Sequence, residues 1–203
     1  MAIFKLKKRE IECKIVYYGP GRSGKTTNME YIYKTYRKQV VGEMVSVDTE
    51  GDRTLFFDFL PMGLGQIKGF DIRVQVYTVP GQVQYRSTRK LVLKGVDGVI
   101  FVADSLAVRR EKNMLSLRDL QHNLKEYGIN ILKIPLVMQH NKRDLAVQGV
   151  PVMSIEQMER DLNRQLKVPS FSASAITGDG VGTTLKECLK LTLLSFKKQI
   201  KSG

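Results

Sequence analysis

The chain has 203 residues, of which 42% are apolar, 26% charged and 17 are glycines; this suits a single domain over 1–203 and excludes a disordered, collagen-like or mucin-like chain. No run approaches the roughly 20 consecutive apolar residues of a membrane span, and Lys5, Lys7, Lys8 and Arg9 stand where a signal peptide would have its apolar core, so a cytoplasmic protein without integral membrane contact is expected. Lys and Arg outnumber Asp and Glu by 33 to 20, a net charge of +13, yet the excess is scattered and lacks interleaved aromatics, so it reads as solubility and docking charge and no nucleic-acid partner is expected.

In chain order, Ile11–Tyr18 mixes β-branched, aromatic and apolar residues and stops at Gly19-Pro20-Gly21, which predicts a buried strand running into a glycine loop. A helix is predicted from Lys25, with Tyr31, Ile32 and Tyr36 as a partial apolar stripe. Leu55–Leu60 and Phe70–Val79 are strand candidates, and Gly63, Gly65 and Gly69 between them suggest an antiparallel hairpin with a loose connection. Val96–Ala103 and Ile131–Gln139 are almost continuous apolar runs, as expected of parallel strands buried on both faces. Arg109–Tyr127 carries leucines at 115, 117, 120 and 124 and ends at Gly128, the signature of a helix. Ser154 and Gln157 resemble a capping box opening a helix to about Lys167. A short strand near Phe171 and a helix over about Val181–Ile200 complete the alternation. The class is α/β: three layers around a mostly parallel sheet with one antiparallel hairpin strand, binding ligands at the carboxyl ends of its strands. Cys13 and Cys188 fall inside apolar patterns and read as buried free thiols, and with His122 and His140 they lack the spacing of a transition-metal site.

Gly19-Pro20-Gly21-Arg22-Ser23-Gly24-Lys25-Thr26 fits the phosphate-binding loop, in the strand-to-helix context that this motif requires. Glycines let backbone N–H groups close on phosphate oxygens, and the helix N-terminus adds partial positive charge there, with Thr27 in its first turn. Lys25 reaches the terminal phosphates, and the Thr26 hydroxyl is a candidate Mg²⁺ ligand. Asn141-Lys142-Arg143-Asp144 follows the strand ending near Gln139, and a carboxylate at Asp144 can accept from N1–H and the 2-amino group of guanine, a donor pair adenine lacks. Alone, that string could be an ordinary polar loop; paired with the phosphate loop it selects guanine nucleotides.

Together these elements match the small GTPase superfamily. Ser174-Ala175-Ile176 resembles the Ser-Ala-Lys loop whose backbone contacts the guanine oxygen, with Ile176 in place of lysine. Val79-Pro80-Gly81-Gln82 sits where Asp-x-x-Gly-Gln is usual, with Thr78 in place of the aspartate. Since a hydroxyl holds a metal-bound water less strongly than a carboxylate does, reduced Mg²⁺ affinity is expected. With Tyr18-Gly19-Pro20-Gly21, Thr49-Glu50 and the run from Arg53-Thr54 to Pro61, the chain from about Glu10 to Phe196 is similar to the MglA-type bacterial Ras-like GTPases of gliding motility and cell polarity.

The resemblance implies a P-loop GTPase fold, GTP as substrate, GDP as product and Mg²⁺ as cofactor. It implies that Gln82 orients the attacking water, that Arg53 is an arginine finger supplied in cis, and that Thr54 joins Thr26 on Mg²⁺. Thr54 would also sense the γ-phosphate, and Gly81 is the switch glycine, counted with the nucleotide-binding residues. A roadblock/longin-type activator, polarity or motility effectors and recruitment to a cell pole are implied as well. For each residue a plainer role stays open: Gln82 as a polar loop residue, Arg53 as a solvated charge, and Arg22 either facing phosphate or pointing to solvent. The function expected is a slow GTP-hydrolysing switch whose two states differ over about residues 40–90, hairpin included. The alternative is a nucleotide-gated scaffold with negligible hydrolysis, and a third reading has the basic surface dock anionic lipid or nucleic acid.

Overall fold

The structure is a computed structural model and describes residues 3–5, 9–47, 57–67, 69–82 and 85–202. Arg53 and Thr54 therefore lie outside the described residues, as do Leu55 and Phe56 of the predicted hairpin. The strands are β1 (Ile3–Lys5), β2 (Glu10–Tyr18), β3 (Val45–Val47), β4 (Phe57–Ile67), β5 (Phe70–Thr78), β6 (Gly98–Asp104), β7 (Leu136–Asn141) and β8 (Ser170–Ser172). The α-helices are α1 (Lys25–Thr35), α2 (Arg86–Leu93), α3 (Arg110–Glu126), α4 (Ile155–Met158) and α5 (Val181–Ser202). The strands form one sheet in the order β3-β4-β5-β2-β6-β7-β8, with β1 paired to the start of β2. β5, β2, β6, β7 and β8 are parallel; β4 runs against both of its neighbours, and β1 runs against β2.

Period-two alternation in β2 builds the layers. Ile15 and Tyr17 enter one core with Met29 and Ile32 of α1 and Leu185 and Cys188 of α5. Val16 and Tyr18 enter the other with Leu93 of α2 and Leu120 and Leu124 of α3. With both faces covered, every residue of β6 is buried, as its unbroken apolar run predicts. The two cysteines are buried free thiols, as expected. At the N-terminus of α4 the Ser154 hydroxyl accepts from Gln157 N–H at 3.1 Å, so the predicted cap is present.

Several boundaries differ from the sequence reading, each for a local reason. The hairpin is antiparallel, but its connection is tight: β4 runs on to Ile67 through Gly63 and Gly65, and the register shift between Gly63 and Gln66 marks a bulge at which Gly65 takes φ 81°. β5 then starts at Phe70, preceded by Gly69 at φ 79°. β7 begins at Leu136 instead of Ile131, because Lys133 and Ile134 N–H both bond to Asn130 C=O in a turn that Pro135 closes. The helix opened by Ser154 passes into a π-turn over Glu159–Asn163. β1, β3 and α2 are absent from the sequence reading; α2 hides because Thr88 and Arg89 stand on its buried face beside Val92 and Leu93.

Gly98 opens β6 under α5, where an added Cβ would lie 2.4 Å from Thr192 Oγ1 and 2.8 Å from Ile15 Cδ1. Gly98→Ala is expected to lower unfolding stability by about 1–3 kcal/mol, as overpacked cores do, read as a lower midpoint in urea at unchanged slope.

Candidate functional site

The sequence-predicted site residues that are described follow the carboxyl ends of β2, β5, β7 and β8. The phosphate loop leaves β2 at Gly19, whose φ of 146° and position admit no side chain, since a Cβ would lie 2.3 Å from Val102 C=O. Gly24 is the N-cap of α1 in left-handed geometry, with no side-chain cap. The first-turn N–H groups of α1, which include those of Thr26 and Thr27, are therefore left for an anion. Asn28 N–H returns to Gly24 C=O at 3.0 Å, and the Asn28 side chain bonds the same carbonyl at 2.8 Å. Arg22 is exposed at φ 65°, and Ser23 beside it is buried. Ser23 Oγ is fully enclosed and finds no protein partner among the described residues.

Lys25 is buried and folds back over the loop, donating from Nζ to Gly19 C=O at 3.0 Å and Pro20 C=O at 2.8 Å. An ammonium has three donors, so one remains. Burial, followed by the Arg89 charge, lowers its pKa to about 7, with Arg109 and Lys142 adding and Asp58 opposing. A site that depresses a lysine in this way is built for the negative charge it does not itself contain.

Asn141 joins the motifs. Its Nδ2 donates to Ser23 C=O of the phosphate loop at 2.7 Å, and its Oδ1 accepts from Ala175 N–H at 2.8 Å. Lys142 follows in left-handed geometry and donates to Asp104 Oδ2 at 2.8 Å, while Asp144 stands half-exposed on the next turn. Ser174 and Ala175 are buried, whereas Ile176 is 77% exposed. Its side chain cannot reproduce the long polar stem of the usual lysine. On the other side, Gly81 C=O accepts from Gly21 N–H at 3.1 Å, and a Cβ on Gly81 would lie 2.1 Å from that nitrogen, so only glycine fits. Gln82 is exposed beside it.

Four residues stand out that the sequence reading did not place in the site. Asp58 of β4 is buried opposite Thr78: its Oδ2 accepts from Thr26 and Thr78 hydroxyls, both at 2.7 Å, and its Oδ1 accepts from Ser46 at 2.9 Å. The carboxylate absent at position 78 is thus present from the neighbouring strand. Asp104, fully buried at the end of β6, lies 3.6 Å from Arg109 Nε as well as against Lys142, and Arg109 in turn donates to Gly21 C=O. Arg89 of α2 is 7% exposed, paired with Asp119 at 2.8 Å. Arg89 and Arg109 were grouped by sequence with the scattered surface charge; the fold turns both inward. Cross-strand register and helix packing reveal these four: even Asp58, which lies inside the run from Arg53 to Pro61, meets Thr26 and Thr78 only through the fold.

A strand, a glycine loop and a helix N-terminus facing a guanine-type loop across the carboxyl edge of a parallel sheet define a P-loop GTPase of the Ras-like class. The model of the ADP-ribosylation factor family matches residues 1–191, and the chain belongs to that family of small GTPases, GTP-binding enzymes that hydrolyse GTP to GDP. It is 52% identical over 198 residues to the mutual gliding-motility protein MglA of Myxococcus xanthus (strain DK1622), covering 98% of this chain and 99% of that protein.

Because Lys25 titrates near 7 in the nucleotide-free chain and a bound phosphate raises that value, binding takes up a proton above neutrality. GDP affinity is therefore expected to fall as pH rises from 7 towards the bound-state pKa, by up to about tenfold per pH unit from this group. Calorimetric titrations in buffers of different ionisation enthalpy check both the uptake and its sign.

Proposed function

We propose that this chain is a slow GTP/GDP switch, a single G domain over residues 1–203, that controls polarity or motility in a bacterial cell through effectors recognising its GTP state, with recruitment to a cell pole. The observation that carries the nucleotide part is the Asn141 carboxamide, which fixes the phosphate loop against the base loop so that one ligand spans both. The polarity and motility part rests on the similarity to the gliding-motility protein and on the shared switch strings.

In this reading the phosphate loop N–H groups and Lys25 hold the β- and γ-phosphates, and Asp144 reads the guanine edge while Lys142 packs along it. The backbone of Ser174, Ala175 and Ile176 closes on the guanine oxygen. Mg²⁺, when bound, would supply charge neutralisation at the phosphates. The donor set suits it: Thr26, joined by Thr54, would give hard oxygen ligands, and Asp58, which accepts a hydrogen bond from the Thr26 hydroxyl, would orient that ligand and support the metal through it. Thr78 then acts through Asp58, so the expected loss of Mg²⁺ affinity from the Thr78 replacement is offset.

Phosphoryl transfer to water needs alignment and charge compensation more than covalent chemistry. Gln82 accepts from the attacking water and donates to the γ-phosphate, and Gly81 N–H senses that phosphate. In the present arrangement Gly81 C=O is tied to Gly21 N–H, so GTP has to rearrange this contact. Arg53, carried in by its loop, compensates charge in cis, worth about 10³ to 10⁵ in rate where such fingers operate. A roadblock/longin-type activator would reposition it. The bulge at Gly65 lets the β4–β5 hairpin change register between the two states.

Single-turnover GTP hydrolysis with Mg²⁺, with and without a roadblock-type activator, tests this on wild type, Arg53→Ala and Gln82→Leu. Slow wild-type turnover accelerated by the activator, lost in both variants with nucleotide binding kept, is the expected result. Absence of acceleration, or variants as fast as wild type, would make the protein a nucleotide-gated scaffold. For the metal, Asp58→Asn is expected to raise the Mg²⁺ concentration needed to slow the release of a fluorescent GDP analogue by about tenfold or more, a readout independent of hydrolysis.

A further inference from the structure

Arg89 is nearly fully enclosed. Its guanidinium is spread over three groups: Nε donates to Asp119 Oδ2 at 2.8 Å, and one terminal nitrogen donates to Pro80 C=O at 3.4 Å and to Gln82 C=O. The two carbonyls flank Gly81, the residue pressed against Gly21. Gln82 C=O also accepts from Tyr85 N–H at 3.3 Å, which starts the turn into α2. The main chain of Gln82 is thus held from beneath while its side chain is exposed above.

Asp119 of α3, which orients this guanidinium, is itself fixed from the strand that feeds the phosphate loop. The Tyr18 hydroxyl donates to Asp119 Oδ2, and Asn123 Nδ2 bonds both Tyr18 Oη at 3.0 Å and Asp119 Oδ2 at 3.2 Å. Tyr18 is fully buried and directly precedes Gly19. Its hydroxyl is driven well above its usual pKa, first by burial and then by the bond to Asp119, so it remains a donor throughout the neutral range. The chain of contacts runs from the root of the phosphate loop, through Tyr18, Asp119 and Arg89, to the backbone of Gln82.

A buried guanidinium with its donors on a carboxylate and two carbonyls is costly to desolvate and is stable only when the geometry is kept. Surface solubility, the role that its composition alone suggests, needs none of this. The Gln82 carboxamide must meet a water lined up behind a phosphate, and about 1 Å of misplacement can cost roughly 10²-fold in rate. We infer that Arg89, oriented by Asp119 and Tyr18, is a positioning residue for GTP hydrolysis, fixing the 80–82 backbone so that the Gln82 side chain is aimed from the same frame as the phosphate loop. The inference rests on the GTPase reading above and on Gln82 as the water-orienting group.

Arg89→Lys keeps the charge and the stem, but one ammonium cannot bridge Asp119 and both carbonyls. Single-turnover GTP hydrolysis by the full chain with Mg²⁺ is measured for wild type, Arg89→Lys, Gln82→Leu and the double variant, together with GDP affinity and thermal unfolding. Arg89→Lys is expected to slow hydrolysis about 10–100-fold with GDP affinity within about threefold of wild type, and to add nothing further in the Gln82→Leu background. Asp119→Asn, which leaves the arginine in place, is expected to lower the rate in the same direction and to be equally silent in Gln82→Leu; it stands in should Arg89→Lys misfold. Wild-type hydrolysis in Arg89→Lys, an equal loss in both backgrounds, or a fall in affinity matching the fall in rate overturns the positioning role. Gln82→Leu hydrolysing as fast as wild type would instead remove the catalytic reading of Gln82, and the positioning role with it, a signature distinct from a failure of Arg89 alone.

Discussion

The carboxamide of Asn141 is the interaction from which the site is assembled. It donates to one loop and accepts from another, both from one planar group. Its presence dictates what surrounds it: Gly24 carries no Cβ because one would sit 2.2 Å from the amide nitrogen, and Ala175 is small and buried with its N–H turned inward. Through Ser23 C=O the amide pins the phosphate loop in the shape that leaves the start of α1 uncapped by a side chain. The strand that delivers Asn141, β7, is therefore as much a part of phosphate recognition as β2.

Around that frame the protein concentrates positive charge that the carboxylates of Asp58, Asp104 and Asp119 offset only in part. Lys25, Arg89, Arg109 and Lys142 all act on one region, and the depressed Lys25 ammonium registers the cost. Each is held by carbonyls or by a carboxylate on a neighbouring element: Asp119 for Arg89, Asp104 for Arg109 and Lys142. This division leaves Asp58 for the hydroxyls of Thr26 and Thr78. Loops that would repel in isolation are thereby kept together, and a polyanionic ligand relieves the remainder.

The same arrangement explains why the Ras-like pattern tolerates a threonine at position 78. On a strand paired with β4, a side chain at 78 and one at 58 meet across the sheet, so a carboxylate stands beside the Thr78 hydroxyl although position 78 has none. The change looks like the loss of a function when the strand is read alone. Read together, the two strands keep a buried carboxylate at this place.

How much of this was legible in the sequence follows from the range over which each interaction acts. Glycine spacing, the capping serine at 154, the unbroken apolar run of β6 and the guanine-type string at 141–144 are local devices, each set by a few neighbouring residues, and they yield the class of fold, the nucleotide and the motif residues. The length of β4 was misjudged because glycine marks both loops and bulges, and only the cross-strand register tells them apart. α2 was missed because its inward face carries Thr88 and Arg89, whose burial depends on Asp119 and on carbonyls that come from elsewhere in the chain. The identity of the ligand was thus written in short strings. The placement of Asp58, Asp104, Arg89 and Arg109 was decided by tertiary structure alone, since buried charge is stable only where distant parts of the chain bring a partner to it.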